Sequence, residues 1–403
     1  MRLLLGCAGI LISLAAGSRA VATGPGNPSR FEELIQQGRA AFLASDADRA
    51  ESAWKEACPS EVPAAFSITE AVTCANLLAS VEEVRGNLAR AEQLYRYAAS
   101  LAEQTGKTYQ PLYCARLIDL GEFYHRRGKP ADAEDTLQTA VDLARRLAAS
   151  VPDLLPKALI PLGSLYADSA HPERGRAPLT EAMEFAQLPA ADIAAAQNAL
   201  GKVELASGRP DTAEPYLREA VRFAETNLGE DHPATAAYET NLALALIAER
   251  KPDRAFLLLR RAEVILKSNN RAPGLELAVV CAELAGLAAG EGKLAEAEDY
   301  ATRSLSILGV QPESHAIAAA AAKVMLASVY LRLHDLPAAE SILPGAVEVE
   351  RQTAINPQAL AASLRLLAQL RTQQHDRKSA EALHREAANI KGLEGAPHGP
   401  KGS

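Results

Sequence analysis

Small and large apolar residues recur along this chain in one phrase. The phrase reads Ala-Glu/Asp-x-x-apolar-x-x-Ala, as in AESAWKEA, AEQLYRYA and AEDTLQTA. Each copy follows a short turn rich in Gly, Asp, Pro or Lys, and each turn follows a stretch of the form Leu-Gly/Ala-x-x-apolar. Apolar residues at helical spacing indicate helices, and turn residues between two helices indicate a hairpin. The pattern therefore predicts a chain of helical hairpins.

The hairpins return with a period of about 42 residues. Successive copies of the small residue that opens each phrase are separated by 41, 42, 42, 38, 42, 42, 42 and 41 residues. These nine residues are Ala50, Ala91, Ala133, Gly175, Ala213, Ala255, Ala297, Ala339 and Ala380. A constant period of this length indicates a repeat protein in which each hairpin packs on its neighbours. The fourth and ninth copies are expected to be the irregular ones.

The spacing of small and bulky residues resembles the tetratricopeptide (TPR) family. That family has small residues at repeat positions 8, 20 and 27, because two antiparallel helices approach closely only where small side chains meet. Gly121 and Ala133 are one such pair at positions 8 and 20. The segment Leu228–Pro233 (LGEDHP) and the long period resemble repeats of the kinesin-light-chain type.

The resemblance implies an all-α fold, a right-handed superhelical solenoid of about nine hairpins. Helix A of each hairpin would line the concave face, and helix B the convex face.

We expect a signal peptide at residues 1–22, a flexible leader at 23–29, the repeats at 30–394 and a disordered tail at 395–403, since the leader and tail are rich in Gly and Pro.

The first 22 residues have the pattern of a secretory signal. Arg2 precedes an apolar run of 14 residues, Leu3–Ala16, and Ala20-Val21-Ala22 fits a cleavage site. The run is shorter than the ~20 residues that a membrane-spanning helix needs. We therefore expect a periplasmic or secreted protein, cleaved near Ala22. An uncleaved anchor and a lipid anchor at Cys7, which follows a lipobox-like Leu-Leu-Gly, are the alternatives.

Charge and motifs narrow the function classes. The formal net charge is −8, which argues against binding to nucleic acid or to anionic membranes. The sequence has no HExxH, GxSxG, Walker or GxGxxG motif and no zinc-like spacing of Cys and His. We expect no enzyme activity, no cofactor and no metal. His334 and His375 fall in predicted turns, where a solvated loop residue is the expectation.

Besides Cys7 in the predicted signal peptide, the chain has four cysteines. Cys58 ends helix B of the first repeat and Cys74 lies near the start of helix A of the second, so both are expected at the same end of the repeats. A disulfide between them is one prediction. The alternative is that these cysteines, like Cys114 and Cys281, are small buried apolar residues.

In TPR proteins, positions 2, 5, 9, 12 and 13 of helix A face the groove, and the resemblance carries these positions to this chain. Repeats 1–5 then present polar side chains of mixed charge. Asn198 and Lys202 resemble part of the clamp by which some TPR domains hold a peptide carboxylate, and the alternative is a solvated polar face. Repeats 6–8 present uncharged residues: Thr240, Leu244, Ile247, Val279, Ala282, Gly286, Val324, Ser328 and Leu331.

A run of uncharged groove positions is typical of an interaction surface for an apolar peptide or an amphipathic helix. The alternative is that these residues only permit tight packing between repeats. We therefore predict an exported, non-catalytic scaffold that binds a protein or peptide partner in its groove. A binder of an apolar or polysaccharide ligand in envelope assembly or export, and a self-associating structural array, are the other hypotheses.

Overall fold

The computed structural model describes residues 30–43, 46–58, 67–104, 106–169, 171–268, 274–309, 316–353 and 357–390. The predicted signal peptide, Cys7, the leader and the tail lie outside the described residues. Within them the fold is all-α, as predicted, with eighteen α-helices, two short 3₁₀ helices and no β-strand. In this part of the chain, no helix is both long enough and apolar enough to span a membrane.

The helices follow one another as consecutive pairs. The first nine are α1 Arg30–Leu43, α2 Ala47–Ala57, α3 Ile68–Val84, α4 Leu88–Gln104, α5 Gln110–Arg126, α6 Pro130–Leu147, α7 Leu154–Ala167, α8 Arg176–Met183 and α9 Ala190–Ala206. The others are α10 Pro210–Asn227, α11 Pro233–Ala248, α12 Pro252–Ser268, α13 Leu275–Gly290, α14 Leu294–Leu308, α15 Ala316–Arg332, α16 Leu336–Thr353, α17 Pro357–Gln373 and α18 Arg377–Asn389. Odd-numbered helices are the predicted A helices and even-numbered ones the B helices.

The described residues form two compact units. The N-terminal unit holds the described residues up to 251 together with 264–268, and the C-terminal unit holds 252–263 and 274–390. In the N-terminal unit, the partners in each hairpin from α1/α2 to α9/α10 pack on each other, and α5, α7, α9 and α11 also pack in sequence. In the C-terminal unit the hairpins are α13/α14, α15/α16 and α17/α18.

Small residues set the close approach of the two helices in a hairpin. The alanines at position 20 are almost all fully buried, as Ala133 and Ala213 illustrate. At position 8, a Cβ added to Gly121 would lie 2.6 Å from Cγ of Leu137, a buried leucine on the partner helix. The small residues of the sequence pattern are therefore required for the two helices to pack this closely.

The turns inside the hairpins use a left-handed residue at one fixed place. Five residues before position 20, the backbone φ is positive, for example +66° at Gly128 and +82° at Gly292. His334 and His375 occupy the same place with φ of 60° and 65°. A non-glycine residue in this region is strained, because its Cβ crowds the following carbonyl.

The fourth repeat is irregular, as expected, whereas the ninth forms an ordinary hairpin of α17 and α18. Helix B of the fourth repeat begins as the 3₁₀ helix Pro172–Gly175 and continues as the eight-residue α8. A Cβ at Gly175 would lie 2.7 Å from the carbonyl oxygen of Gly163, so the two backbones approach closely here. This close approach leaves no room for a Cβ atom, which explains why position 20 of this repeat is glycine and not alanine.

A disulfide joins the first two repeats. Cys58, which caps the C-terminus of α2, is bonded to Cys74 on α3 with 5.6 Å between the Cα atoms. Both cysteines lie in a buried cluster with Trp54, whose Nε1 donates to the carbonyl oxygen of Ile35 at 3.2 Å. Cys114 and Cys281 are buried and take no part in this disulfide.

Candidate functional site

The odd-numbered helices α3 to α11 of the N-terminal unit present the predicted groove positions along one row. We call this surface the odd-helix face. Across positions 9, 12 and 13 of these helices, each of repeats 2–5 holds at least one charged residue, whereas repeat 6 holds only apolar residues. The structure links the charged residues of neighbouring helices to one another, so they form a network rather than a set of solvated side chains.

The first link joins α3 to α5. Arg126 donates from Nε to Glu83 at 2.8 Å and from Nη2 at 3.0 Å, and both side chains are 8 % exposed. The hydroxyl of Tyr95 donates to the same carboxylate at 3.1 Å. Burial alone would lower the pKa of Arg126, but the Glu83 carboxylate outweighs burial and raises it. The pair is a fixed crosslink between two repeats.

Glu122 lies beside this crosslink. Its carboxylate lies 3.8 Å from Nη1 of Arg126. The Nε and Nη2 atoms of the same arginine already donate to Glu83. Burial raises the pKa of Glu122 to about 7. The charge of Arg126 lowers it, and the charges of Asp119, Glu83 and Asp192 raise it. Glu122 is therefore a carboxyl group that changes charge near neutral pH.

The second link joins three repeats through Asp168, which follows α7. Lys202 on α9 donates from Nζ to Asp168 at 2.7 Å, and Nε2 of His125 on α5 lies 3.2 Å from the same oxygen. The Asp168 side chain is 6 % exposed. Burial alone would raise its pKa, but Lys202 and His125 outweigh burial and lower it. Asp168 is thus a buried anion held by two partners.

Asn198 and Lys202 are brought to the same face but have partners within the protein. Lys202 binds Asp168, and Asn198 accepts a hydrogen bond of 2.8 Å from Nδ2 of Asn241 on α11. An incoming carboxylate would have to compete with Asp168 for Lys202. The structure therefore lends no geometric support to the clamp interpretation of these two residues.

The apolar part of the odd-helix face lies next to Lys202. Leu205 and Ile247 occupy position 12 of α9 and α11, and both are half-buried, as is Leu244. Thr240 is only 1 % exposed, and its hydroxyl donates to the carbonyl oxygen of Ala236. Packing covers Thr240, so Thr240 offers no surface to a ligand. Leu205, Leu244 and Ile247 are only half-buried and do offer such a surface.

The predicted groove positions of the C-terminal unit also differ in how far packing covers them. Val279 and Leu331 are 4 % and 2 % exposed, so packing covers them too. The four others are half-buried: Ala282, Gly286, Val324 and Ser328. Val279 and Ala282 line an apolar cavity of about 30 Å³ between α13, α14 and α15. That volume is far below the ~300–1,000 Å³ of small-molecule sites.

Some residues of the odd-helix face lie outside the five groove positions. Arg116 at position 3 of α5 pairs with Asp119, and the charge of Asp192 in the first turn of α9 raises the pKa of Glu122. Their burial depends on how neighbouring helices tilt, which repeat spacing does not encode. Among the described residues, no group of three or more His, Cys, Asp and Glu side chains could hold a metal ion.

Comparison with known proteins identifies the kind of repeat. A family model described as "Tetratricopeptide repeat" matches residues 71–146 and 192–268. These segments lie within the predicted repeats, so residues 71–146 and 192–268 match TPR repeats. No curated protein matches the chain.

Several solved structures are similar in fold. A Rap protein solved in complex with Competence and Sporulation Factor has a TM-score of 0.62 at 12 % identity, covering 90 % of this chain and 98 % of that protein. A Pyrococcus horikoshii STAND signal-transduction ATPase with a tetratricopeptide repeat sensor has a TM-score of 0.55 at 11 % identity, covering 86 % and 52 %. A Podosopora anserina putative kinesin light chain reaches 0.39 at 22 % identity, covering 49 % and 94 %. The first two similarities support the helical-repeat fold, and the kinesin-light-chain subtype stays a prediction.

Proposed function

We propose that this protein is an exported, non-catalytic scaffold that binds a polypeptide segment on the odd-helix face of its N-terminal unit. The observation that carries the proposal is the combination, on that face, of a fixed polar network and half-buried aliphatic side chains. The network holds the helices in register, and Leu205, Leu244 and Ile247 offer apolar surface beside it. Such a surface suits an extended or helical peptide with alternating apolar and polar side chains.

The Rap protein supports the same proposal, because it has a similar fold and was solved in complex with Competence and Sporulation Factor. We propose that this chain binds its partner along the helical repeats. Export is part of the proposal because residues 1–22 have the pattern of a secretory signal. The disulfide between Cys58 and Cys74 agrees with an oxidising compartment.

A displayed library of random peptides tests the proposal without a known partner. The purified chain is used as bait, enriched peptides are synthesised, and their Kd is measured by calorimetry. We expect the double variant Leu244→Asp/Ile247→Asp to weaken binding by at least tenfold, because two charges would be placed on the apolar contact surface. Circular dichroism checks that the variant is folded.

The matched control is Tyr97→Asp. Tyr97 lies on the even-numbered helix α4 of the same unit and is 52 % exposed, so the same charge is introduced away from the odd-helix face. The control is expected to bind selected peptides like the wild type. Equal loss in both variants, or no enriched peptide at all, would contradict the proposal.

A further inference from the structure

The first repeat, formed by α1 and α2, has an apolar core that is separate from the core of the following repeats. Buried residues of α1, α2 and α3 form one cluster, which includes Trp54, Leu77 and Val81. A larger cluster begins at Ala79 on α3 and extends to Val203 on α9. Helix α3 therefore contributes to both clusters, and it connects the first repeat to the rest of the N-terminal unit.

The non-covalent contacts between the first repeat and α3 are modest. Helix α2 packs on α3 less extensively than α4 packs on α5 or α6 on α7, and α1 packs on α3 more sparsely than α5 packs on α7. Arg85, at the C-terminal end of α3, pairs with Asp48 at 2.6 Å and with Glu51 at 2.5 Å, both on α2. The Arg85 side chain is one-third exposed and Asp48 is almost fully exposed. Because water screens such a pair, it contributes little to holding the repeat in place.

The disulfide between Cys58 and Cys74 is a covalent link across the same junction. Cys58 caps the C-terminus of α2, Cys74 lies on α3 one turn before Leu77, and both cysteines belong to the apolar cluster of the first repeat. Each cysteine is 7 % exposed, whereas Cys114 on α5 is fully buried. The disulfide therefore lies at the place where the first repeat is attached, and it supplements weak non-covalent contacts.

We propose that this disulfide is a redox-controlled crosslink: its reduction allows α1 and α2 to separate from α3, while α3 to α10 stay folded. Among the described helices, the first repeat packs on one neighbouring repeat only, and opening of a single repeat breaks one interface. Separation exposes the apolar side chains of Leu77 and Val81 on α3. The inference goes beyond the proposed peptide binding and does not depend on it.

A dithiol reductant supplies the chemistry of the opening. One of its thiolates attacks a sulfur atom of the disulfide, forms a mixed disulfide and releases the other cysteine as a thiolate. The second thiol of the reductant then attacks the mixed disulfide and closes the reductant's own disulfide. Two electrons and two protons thus pass from the dithiol to Cys58 and Cys74. In an oxidising compartment the disulfide persists, and the first repeat stays attached.

Amide hydrogen exchange of the full chain, followed by mass spectrometry before and after treatment with dithiothreitol, tests the proposal. We expect amides of α1 and α2 to exchange about 100-fold faster after reduction, because the crosslink no longer restrains the open state. Exchange in α5 to α9 should stay unchanged. Trp54 is the only tryptophan of the chain and is fully buried, so its emission should shift to longer wavelength on opening. Removal of the reductant and reoxidation should restore both signals.

Two variants and one reagent are the controls. Cys58→Ser/Cys74→Ser should exchange rapidly in α1 and α2 without reductant and should not respond to it. Cys114→Ala keeps the disulfide and should respond like the wild type. Iodoacetamide should label Cys58 and Cys74 of the reduced protein but not Cys114, because burial of Cys114 raises its thiol pKa to about 11 and leaves little thiolate.

Two outcomes would overturn the proposal. If labelling shows that the disulfide is reduced and α1 and α2 still exchange as slowly as before, the crosslink does not hold the first repeat. If exchange accelerates equally from α1 to α10, or Cys114 is labelled, the whole unit has unfolded and the opening is not local. Reduction of the wild type decides between these outcomes even where the serine variant fails to fold. No readout uses a ligand, so failure here leaves the proposed peptide binding unaffected.

Discussion

Asp168 offers the most demanding test of the network on the odd-helix face. Its buried carboxylate holds Lys202 at 2.7 Å and His125 at 3.2 Å, and the Lys202 side chain is itself only 14 % exposed. Asp168→Asn keeps the side-chain size but leaves the ammonium of Lys202 without a counter-charge. Breaking a buried ion pair from one side costs about 3–5 kcal/mol of unfolding free energy.

A double-mutant cycle distinguishes this cost from a simple loss of packing. Replacing both partners of a buried pair with groups of similar volume is often nearly neutral. Asp168→Asn/Lys202→Met should therefore be less destabilised than the sum of its single variants by roughly 2–3 kcal/mol. Amide hydrogen exchange in α7 and α9 measures the local free energy of opening for each variant.

The same prediction has a defined pH dependence. The pKa of Asp168 is lowered in the folded protein, so its contribution to stability is fully present above the ordinary Asp pKa of about 3.9. The advantage of the wild type over Asp168→Asn should be lost as the pH falls through the lower pKa of the folded state. Glu219→Gln, which breaks an exposed pair with Arg222, is the control and should change nothing measurable. Additive single variants, or an Asp168→Asn protein as stable as the wild type, would refute the reasoning.

Three further predictions concern local features. His334→Gly should stabilise the C-terminal unit by about 0.5–1 kcal/mol, measured by urea denaturation, because it relieves a left-handed histidine at φ 60°. Removing the bond between Cys58 and Cys74, 16 residues apart, should cost about 3 kcal/mol, followed through the fluorescence of the buried Trp54. Glu122 has a pKa raised to about 7, so the folded protein binds its proton more tightly than the unfolded chain, and stability should fall as pH rises from about 4 to 7. Glu122→Gln should remove that fall and be more stable than the wild type above pH 7.

Each of these predictions has a control and a contrary outcome. Gly292→Ala places a side chain at the equivalent left-handed position with φ +82° and should destabilise, opposite in sign to His334→Gly. Cys114→Ala removes a buried free cysteine and should leave the sensitivity to a reducing dithiol unchanged. For Glu122, a stability difference between wild type and Glu122→Gln that is the same at pH 4 and pH 8 would contradict the raised pKa.

Much of the fold could be read from the sequence because its determinants are local. The small residue at position 20 and the turn residues before it recur at nearly constant spacing, and each hairpin depends only on its own residues and its neighbours. The irregular fourth repeat was also visible, through Gly175 and the 38-residue step. The structure adds the cause, which is the close approach of Gly175 to the backbone of Gly163.

The candidate site could be predicted only in part. Repeat positions indicated which helix face to inspect, and Leu244 and Ile247 do offer half-buried apolar surface there. Thr240, Val279 and Leu331 came from the same rule but are covered by packing. Position within a repeat fixes the direction of a side chain, whereas its exposure depends on how neighbouring helices tilt and how large their side chains are.

The sequence by itself determined the helical hairpins, their period and the rows of small residues, since helix formation and steric fit within a hairpin act over a few tens of residues. Only the tertiary structure decided which charges are paired. Asp168 meets Lys202 across 34 residues and His125 across 43, and Arg126 meets Glu83 across 43. An ion pair forms only when two oppositely charged side-chain atoms lie within a few ångströms of each other. The packing of whole repeats against each other sets that distance.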